Sequence, residues 1–321
     1  MKNYKLTKTF KNLFISLLIV NSTLFAANIE KIHFLIPGGA GGGWDGTARG
    51  VGEALLKSNL IKEASYENIS GGGGGKAIAY LIETANKQQN TIMVNSTPIV
   101  IRSLQGIFPQ SFRDLSLIST VIADFGVLVV KNDSKYNSWE DVKKAFKKNP
   151  GKIKIAGGSS RGSMDHLVAA QIFKAANGNP RDVRYVPYNA GGKAIAGLLT
   201  GEVDILSTGL GEVLEKHKKK ELKIIGVTSN KSIEGIPSFK SMGVDAYFVN
   251  WRGFFAAPNL PKKKIDEFAK ILEDMYKTEE WEKIRKRNGW ENLYKSKEEF
   301  KLFLENQEKI ISSLMKEMGF L

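Results

Sequence analysis

The chain of 321 residues contains no cysteine and only three histidines. Without cysteine it can form no disulfide bond and carries no N-terminal cysteine for a lipid anchor. Three histidines without cysteine also leave no plausible set of ligands for a zinc site, and no other cofactor is expected. Stability must therefore come from ordinary hydrophobic cores, which a chain of this length can supply.

Long apolar runs are also missing, apart from one near the N-terminus. Four lysines between positions 2 and 11 precede the apolar stretch Leu13–Val20, and the small residues Ala26 and Ala27 follow it. This layout is typical of a secretory signal peptide, with cleavage expected after Ala26. The alternative is a retained membrane anchor, but the run falls short of the ~20 apolar residues that span a bilayer. We therefore expect residues 1–26 to be removed and the mature protein to be exported and unanchored.

Acidic residues are fewer than basic ones, 33 against 47, so the formal net charge is +14. The four lysines near the N-terminus contribute 4 of this, which leaves +10 for the mature chain. The remaining excess is lysine scattered over helical patterns such as Asp141–Lys148 and Glu215–Lys220, which is typical of solvated helix faces. Export argues against a nucleic-acid partner, and the charge would at most steer an anionic ligand.

From Ile29 onward, short strand patterns alternate with helical patterns. Ile32–Ile36 is a buried-strand pattern that ends at Pro37, and glycines and a helical pattern follow. Val183–Val186 leads in the same way to Pro187, a glycine pair and another helical pattern. Strand–loop–helix units of this kind specify parallel sheets with helices on both faces. The repeated pattern suggests two α/β halves of related design.

Small or hydroxyl-bearing residues follow five of the predicted strands. They are Gly38–Gly43, Ser70–Gly75, Ser96–Thr97, Gly157–Ser163 and Ala190–Gly192. Each group precedes a helix, so each offers unpaired backbone N–H groups and the positive end of a helix dipole. One glycine run alone is more simply a tight turn, but in open α/β sheets ligands bind at the carboxyl ends of the strands. Five such ends together therefore predict a cradle for a small anion.

Two of these loops also match enzyme motifs by letter. Gly41–Gly46 fits the dinucleotide fingerprint, and Glu67 stands roughly where its acidic residue belongs. Export argues against this interpretation because nicotinamide cofactors are scarce outside the cytoplasm. The stretch from Gly71 to Lys76 is not a phosphate-binding P-loop, since Ala77 replaces the magnesium-binding hydroxyl residue.

Gly158–Gly162 fits the nucleophile elbow of serine hydrolases, with Ser160 as the nucleophile. Such an enzyme needs an acid and then a histidine later in the chain. His166 lies in the adjoining helix without a suitably placed intervening acid, and His217 lies in a lysine-rich surface stretch. A secreted serine hydrolase remains the alternative to a binding protein at this point.

Six motifs occur together and in order along the chain. They are the strand followed by Pro37–Asp45, the glycine loop Asn68–Gly75, Ser159–Leu167, Val186–Gly192, Gly201–Asp204 and Trp251–Pro258. The ordered set resembles the substrate-binding receptors of tripartite tricarboxylate transporters, the Bug receptors. The resemblance runs from about Ile32 to the C-terminus.

This resemblance implies a fold and a function. The fold would be α/β, a two-domain periplasmic-binding-protein-like clamshell, each domain a mainly parallel sheet flanked by helices, with two crossing segments. Domain 1 would comprise residues 27–123 and 252–321, and domain 2 residues 124–251. The protein would be a monomeric periplasmic receptor that captures a small organic carboxylate, citrate-like or a dicarboxylate, for the membrane subunits of its transporter. A chemosensory binder without transport is a further alternative.

The resemblance also implies that two jaws hold the ligand. One jaw would comprise Gly38, Gly39, Gly41, Gly42, Gly43, Trp44, Asp45, Gly71, Gly72, Gly73 and Thr97. The other would comprise Ser159, Ser160, Ser163, Tyr188, Gly191, Gly192 and Asp204.

Four single residues keep more than one interpretation. Asp45 is placed to cap the following helix, which would let it shape the loop without touching ligand. Trp44 stands beside many glycines, so we expect it to lie in the wall of the cleft rather than in the core. Asp204 is an odd direct partner for an anion, so a backbone group, a ligand hydroxyl or water suits it better. Arg252 could bind a ligand carboxylate with two hydrogen bonds or form an interdomain salt bridge.

Overall fold

The computed structural model describes residues 29–321, so the expected signal peptide lies outside the described residues. The strands in this part are β1 (Lys31–Ile36), β2 (Glu63–Asn68), β3 (Thr91–Ser96), β4 (Ser116–Lys131), β5 (Lys154–Gly157), β6 (Arg184–Pro187), β7 (Ile205–Gly209), β8 (Leu222–Val227), β9 (Val249–Ala256) and β10 (Glu291–Lys295). The α-helices are α1 (Gly43–Lys57), α2 (Gly75–Glu83), α3 (Thr97–Leu104), α4 (Trp139–Lys148), α5 (Met164–Ala175), α6 (Gly191–Leu199), α7 (Leu210–Lys218), α8 (Lys262–Tyr276), α9 (Glu279–Arg287) and α10 (Lys297–Met318). Between residues 29 and 321, none of these helices has both the length and the apolar character needed to cross a bilayer.

The strands form one continuous sheet in the order β2-β1-β3-β9-β4-β7-β5-β6, with β8 and β10 also paired to β4. Strand β4 is 16 residues long and connects two groups of strands. Its first part, Ser116–Phe125, pairs with β9, and its last part, Gly126–Lys131, pairs with β7 and β8. We call the strands around the first part the large lobe (β1, β2, β3, β9 and β10) and those around the last part the small lobe (β5 to β8).

Parallel pairing is confined to two places in this sheet. It joins β2, β1 and β3 in the large lobe, and β6, β5 and β7 in the small lobe. The strands that connect the lobes, β4 and β9, run antiparallel to their neighbours. The sheet therefore contains both parallel and antiparallel pairs, because a chain that crosses between the lobes and returns must supply strands of opposite direction. The predicted strand–loop–helix units account for the parallel part.

The two-residue period of β4 decides what each face of the small lobe buries. Val127 and Val129 belong to a buried cluster with the apolar faces of α6 and α7. Leu128 and Val130 belong to a second cluster, with α4 and α5. Alternate side chains of a strand point to opposite faces, so this run of apolar residues predicts a sheet covered on both sides. The small lobe is thus a three-layer α/β unit.

The C-terminal helices return to the large lobe. Trp251 and Phe255 of β9 pack on Phe300 of α10, with ring centroids 5.4 and 5.2 Å apart. All three side chains are buried. Aromatic pairs at these separations add to the free energy gained by burial itself. This packing ties the last helix of the chain to the strand that enters the large lobe from the small one.

Candidate functional site

A cavity of about 370 Å³ lies where the two lobes meet. Its wall is built mainly from the loops that follow β1, β2 and β3 of the large lobe and β5 and β6 of the small lobe. These are the carboxyl ends of the parallel strands, where ligands bind in open α/β sheets. The volume is that of a small-molecule pocket.

Most of the predicted ligand-binding residues line this cavity. They are Gly38, Gly39, Gly42, Gly43, Trp44, Gly71, Gly72, Gly73, Ser159, Ser160, Ser163, Tyr188 and Gly191. These residues come together because they follow parallel strands, and parallel strands end at the same edge of a sheet. Gly41, Asp45, Thr97, Gly192 and Asp204 do not line it.

The glycines of the two jaws allow the lobes to touch. A methyl group at Gly39 would place its carbon 2.8 Å from Cβ of Ala190, and one at Gly41 would lie 3.5 Å from Cα of Gly192. Gly41 also has a φ of 76°, a conformation that side chains disfavour. Gly41 and Gly192 therefore lie at the contact between the jaws rather than in the cavity wall.

Asp45 holds the first glycine loop by hydrogen bonds on the side away from the cavity. Helix α1 begins at Gly43, two residues before the predicted cap, so Asp45 lies in its first turn. One carboxylate oxygen accepts the N–H of Gly41 at 3.0 Å, and the other accepts from Asn68 at 3.1 Å and Arg49 at 3.0 Å. Asp45 thus shapes the loop without lining the cavity, although it is not the N-cap residue.

Asp204 and Thr97 lie away from the cavity wall for different reasons. Asp204 precedes β7, so it lies at the amino end of that strand, opposite to the ligand edge of the sheet. There its carboxylate accepts the backbone N–H of Lys154 at 2.9 Å. Thr97 begins α3 but its side chain is fully buried. Neither residue therefore lines the cavity.

Trp44 connects three of the loops in the large lobe. Its indole N–H donates to Oγ of Ser96 at 2.9 Å. Its ring lies against Gly38 and Gly74, where added methyl groups would come to 2.9 and 3.6 Å. Trp44 also lines the cavity, as expected for a cleft wall.

The serine loop of the small lobe is held by its own hydrogen bonds. Tyr185 donates its hydroxyl to the carbonyl of Ser159 at 2.7 Å, and the N–H of Asp165 donates to Oγ of Ser159 at 3.1 Å. His166 accepts the N–H of Gly162 through Nδ1 at 2.9 Å. Burial lowers the pKa of His166 to about 4. His166 is therefore a neutral structural residue that fixes the turn around Gly162.

This arrangement does not assemble a hydrolase triad around Ser160. The only other histidine after it, His217, lies near the end of α7 and accepts the N–H of Ile224 at 3.4 Å. Among residues 29–321, no histidine is hydrogen-bonded to the Ser160 hydroxyl. The elbow motif is thus a tight turn that presents hydroxyl groups to the cavity.

Several lining residues were not assigned to either jaw, although Ser70, Gly74, Ser96, Gly158 and Ala190 belong to the strand ends predicted to form the anion cradle. They are Pro37, Ser70, Gly74, Lys76, Ser96, Pro98, Gly158, Met164, Asp165, Asn189, Ala190, Glu212 and Asn250, together with Arg252, whose role was open. Lys76 follows the second glycine run directly, which could have indicated it. Glu212 follows Gly209 and Gly211 at the end of β7, a sixth strand end of the same kind. Asn250 and Arg252 enter from β9, which no local pattern connects to the site.

Arg252 forms an ion pair within the protein, which was one of the two roles considered for it. Its Nη2 donates to Oδ2 of Asp124 at 2.9 Å, and its Nη1 donates to Oγ1 of Thr47 at 2.9 Å. Both members of the pair are buried, with 3% and 0% of their side chains exposed. They lie on β9 and β4, the two strands that connect the lobes. Since breaking a buried pair leaves an uncompensated charge, this pair holds the crossing strands in register.

Two more carboxyl groups lie beside this ion pair in the cavity wall, those of Asp165 and Glu212. Burial raises the pKa of Asp165 to about 6. Burial also raises the pKa of Glu212 to about 8, and the negative charge of Asp165 acts in the same direction. The cavity wall therefore contains two carboxyl groups with raised pKa values, together with glycine loops, serine hydroxyl groups and Lys76.

Residues 48–320 match the family model of the tripartite tricarboxylate transporter family receptor, TctC. The chain is 27% identical over 244 residues to the UPF0065 protein in the tcbD-tcbE intergenic region of Pseudomonas sp. (strain P51), covering 74% of this chain and 71% of that protein. Its fold is similar to that of the periplasmic binding protein BugD, with a TM-score of 0.81, 21% identity, and coverage of 90% of this chain and 97% of that one. A protein of R. palustris with adipate gives a TM-score of 0.81 at 18% identity, with the same coverage. The predicted periplasmic-binding-protein-like fold is confirmed.

Proposed function

The chain belongs to the tripartite tricarboxylate transporter receptor family, as its motifs indicated, and from this premise we propose that it captures a small di- or tricarboxylate for such a transporter. Family members are solute-binding receptors, not enzymes, and the carboxylate would pass to the membrane subunits. Citrate-like acids and dicarboxylates of adipate length are the first candidates, since a protein of the same fold is described with adipate. We also propose that the receptor acts as an exported monomer.

The observation that carries this proposal is the state of the helix ends at the cavity. Six helices begin there: α1, α2, α3, α5, α6 and α7. In none of them does the side chain of the N-cap residue accept a backbone N–H. The first N–H groups of a helix have no partner within the helix, and the helix dipole favours negative charge there. Several such ends around one cavity form a binding site for carboxylates without a matching number of cationic side chains.

Side chains supply only a small part of the positive charge. Lys76 and Arg252 are the lining residues with cationic side chains in the described chain, and Arg252 is paired with Asp124. Lys76 therefore provides the cation for one ligand carboxylate, and the helix ends provide for the others. A ligand with two or three carboxylates fits this division better than a monocarboxylate does.

We propose that the lobes close on the ligand by turning about the strands β4 and β9. Two contacts between the lobes support a closed arrangement: Nε2 of Gln105 donates to the carbonyl of Gly162 at 3.2 Å, and Gly39 approaches Ala190 at the cavity wall. We propose that the two domains expected from the sequence, residues 27–123 with 252–321 and residues 124–251, join at these crossing strands. A ligand that touches both jaws shifts the population toward the closed form.

A panel of organic acids tested by thermal shift decides the proposal. A ligand present at 100 times its dissociation constant adds about 2.7 kcal/mol to the free energy of unfolding, which raises the melting temperature measurably. Citrate, adipate and malate should raise it, whereas the diamide of adipate, which has the same length and no charge, should not. Absence of a shift with every carboxylate in the panel would contradict the assignment.

A further inference from the structure

Glu212 lies where the two lobes meet in the cavity wall. It stands in the first turn of α7, in the small lobe. A methyl group at Gly43, in the large lobe, would lie 3.0 Å from its Oε1, and one at Gly191 would lie 1.8 Å from its Oε2. The carboxyl group occupies the space beside Gly191, whereas at Gly43 the guanidinium of Arg252 would come closer still, at 2.0 Å. Glu212 is thus positioned to contact a ligand held between the jaws.

One oxygen of this carboxyl group has no partner within the described chain. Oε2 of Glu212 is buried and makes no hydrogen bond, and the buried hydroxyl of Thr208, which lies close to the carboxyl group, is likewise without a partner in the described chain. Asp165, the other lining carboxyl group, is better provided for, since Ser159 and the N–H of Gly158 donate to it. An unsatisfied buried polar atom costs free energy, so Oε2 requires a partner or a proton. Glu212 lines the cavity, so a further partner for its carboxyl group can lie on that side.

The charges around Glu212 are unbalanced. The charged groups that face it are Asp165 from α5, Asp124 from β4 and Arg252 from β9. Helix α1 presents the uncharged Gly43, and β7 presents Thr208. Arg252 is already paired with Asp124, which leaves no buried cation for Glu212.

Other charged residues of the neighbouring elements point elsewhere. On α7 itself, Glu215 is exposed, Lys216 pairs with Glu221, and His217 bonds the backbone of β8. Lys223, the charged residue of β8, pairs with Val130, farther along β4 than Asp124. An anionic ligand would add still more negative charge beside the carboxyl group.

We propose, on the basis of the function proposed above, that Glu212 binds the ligand as a neutral carboxylic acid. Its O–H donates a hydrogen bond to an oxygen of a ligand carboxylate, so Glu212 contributes a donor where an ionised glutamate would repel the anion. No covalent bond changes, and the proton stays on Glu212 while the ligand is bound. A buried carboxylic acid that is kept neutral can serve as a hydrogen-bond donor in this way.

The proposal couples affinity to pH in a defined direction. Burial raises the pKa of Glu212 to about 8 without ligand, and a bound anion raises the pKa further. Below that pKa the acid is already protonated, so affinity is independent of pH with respect to this group. Above it, binding must take up a proton, and affinity falls by at most tenfold per pH unit. The loss therefore begins near pH 8 and develops on the alkaline side.

Calorimetric titration of citrate and adipate into the mature protein, from about pH 6 to about pH 9.5, tests this proposal. Below about pH 7 the titration of Asp165, whose pKa is raised to about 6, also contributes. We expect affinity to be constant between about pH 7 and about pH 7.5 and to fall roughly tenfold by about pH 9. Measurements at about pH 8.5 in two buffers with different ionisation enthalpies should show the uptake of a fraction of one proton. Binding without proton uptake and without alkaline loss would overturn the role of Glu212 and leave the receptor function standing. Absence of binding at every pH would instead overturn the function itself.

Two variants and a control separate a neutral donor from an ionised acceptor. Glu212→Ala should lower affinity at about pH 7 by roughly tenfold, because one hydrogen bond to a charged group is lost. Glu212→Gln should restore most of this affinity through its amide N–H and should abolish the alkaline loss. Glu215→Gln, on the outward face of the same helix, should behave as the unmodified protein. If the Gln variant binds as weakly as the Ala variant while both remain folded by circular dichroism, an ionised Glu212 is required and the proposal is wrong.

Discussion

Helix ends near the cavity and helix ends elsewhere are treated differently in this molecule. Helices α4 and α9, away from the cavity, have Ser138 and Thr278 as N-caps whose side chains accept backbone N–H groups, and Ser296 forms a capping box at α10. The helices that begin at the cavity have no such side-chain caps, and glycine or alanine occupies the N-cap position of α1, α2, α6 and α7. Only α8, which begins after Pro261, is uncapped elsewhere in residues 29–321.

The difference shows that a helix N-terminus can serve either stability, when a side chain caps it, or ligand binding, when it is left open. A side-chain cap contributes about 1 kcal/mol to stability by satisfying an N–H group. At α5 and α7, Ser159 and Asp124 each accept one N–H of the first turn. At α1, α2, α3 and α6 the contribution of an N-cap side chain is absent, which leaves first-turn N–H groups available to a ligand. A ligand carboxylate would thus take the place of the missing caps.

The largest expected effect comes from closing the space between the jaws. Gly191→Val would drive a side chain into Oε2 of Glu212 and should lower affinity for citrate or adipate by more than ~100-fold, since the ligand-contacting loops can no longer meet. Calorimetry measures the loss. Gly46→Ala, in α1, is the control because a methyl group there meets nothing within 4 Å. Equal affinity of the Val variant and the unmodified protein would show that the jaws do not close as proposed.

A smaller effect is expected from the cation of the cavity wall. Lys76→Gln removes the unpaired cation and should weaken dicarboxylate binding by about tenfold at low salt, and by less at high salt because of screening. Lys87→Gln, at an exposed position outside the cavity, should change nothing. If both variants bind equally well, the helix ends alone hold the anion.

The dependence of stability on pH tests the burial of Glu212 without any ligand. Burial raises the pKa of Glu212 from 4.5 to about 8. A group with a raised folded-state pKa stabilises the fold fully below the unfolded pKa, and that contribution is lost as pH rises through the folded pKa. Glu212→Gln should therefore gain in melting temperature relative to the unmodified protein between about pH 4.5 and about pH 8, by about 3 °C or more. A difference that is constant over this range would show that Glu212 is not buried as a titrating group.

The smallest effect is expected at a capped helix. Ser138→Ala removes the hydrogen bond from the N–H of Asp141 to the Ser138 hydroxyl. It should lower the free energy of unfolding by about 1 kcal/mol, measured by urea denaturation, and leave ligand affinity unchanged. A change in affinity would contradict the conclusion that capped helix ends contribute to stability and not to ligand binding.

The sequence predicted those parts of the site that depend on strand direction alone. Gly38, Gly71 and Ser159 each follow a strand, and parallel strands bring their carboxyl ends to one edge. The same reasoning applied to Asp204 would have placed it at the other edge, because it precedes its strand. The sequence did not indicate Glu212 as a lining residue, since its position depends on how α7 packs against α1 and α6.

Local pattern was thus sufficient for the α/β class and the glycine loops, because strands, turns and helix starts are specified by neighbouring residues. The family followed from the resemblance of the six ordered motifs. Tertiary structure alone decided which residues meet across the lobes. Arg252 pairs with Asp124, 128 positions away in the chain, although the sequence allowed a ligand carboxylate equally well. Burial then raised the pKa values of Asp165 and Glu212, because desolvation depends on the whole fold and not on any local motif.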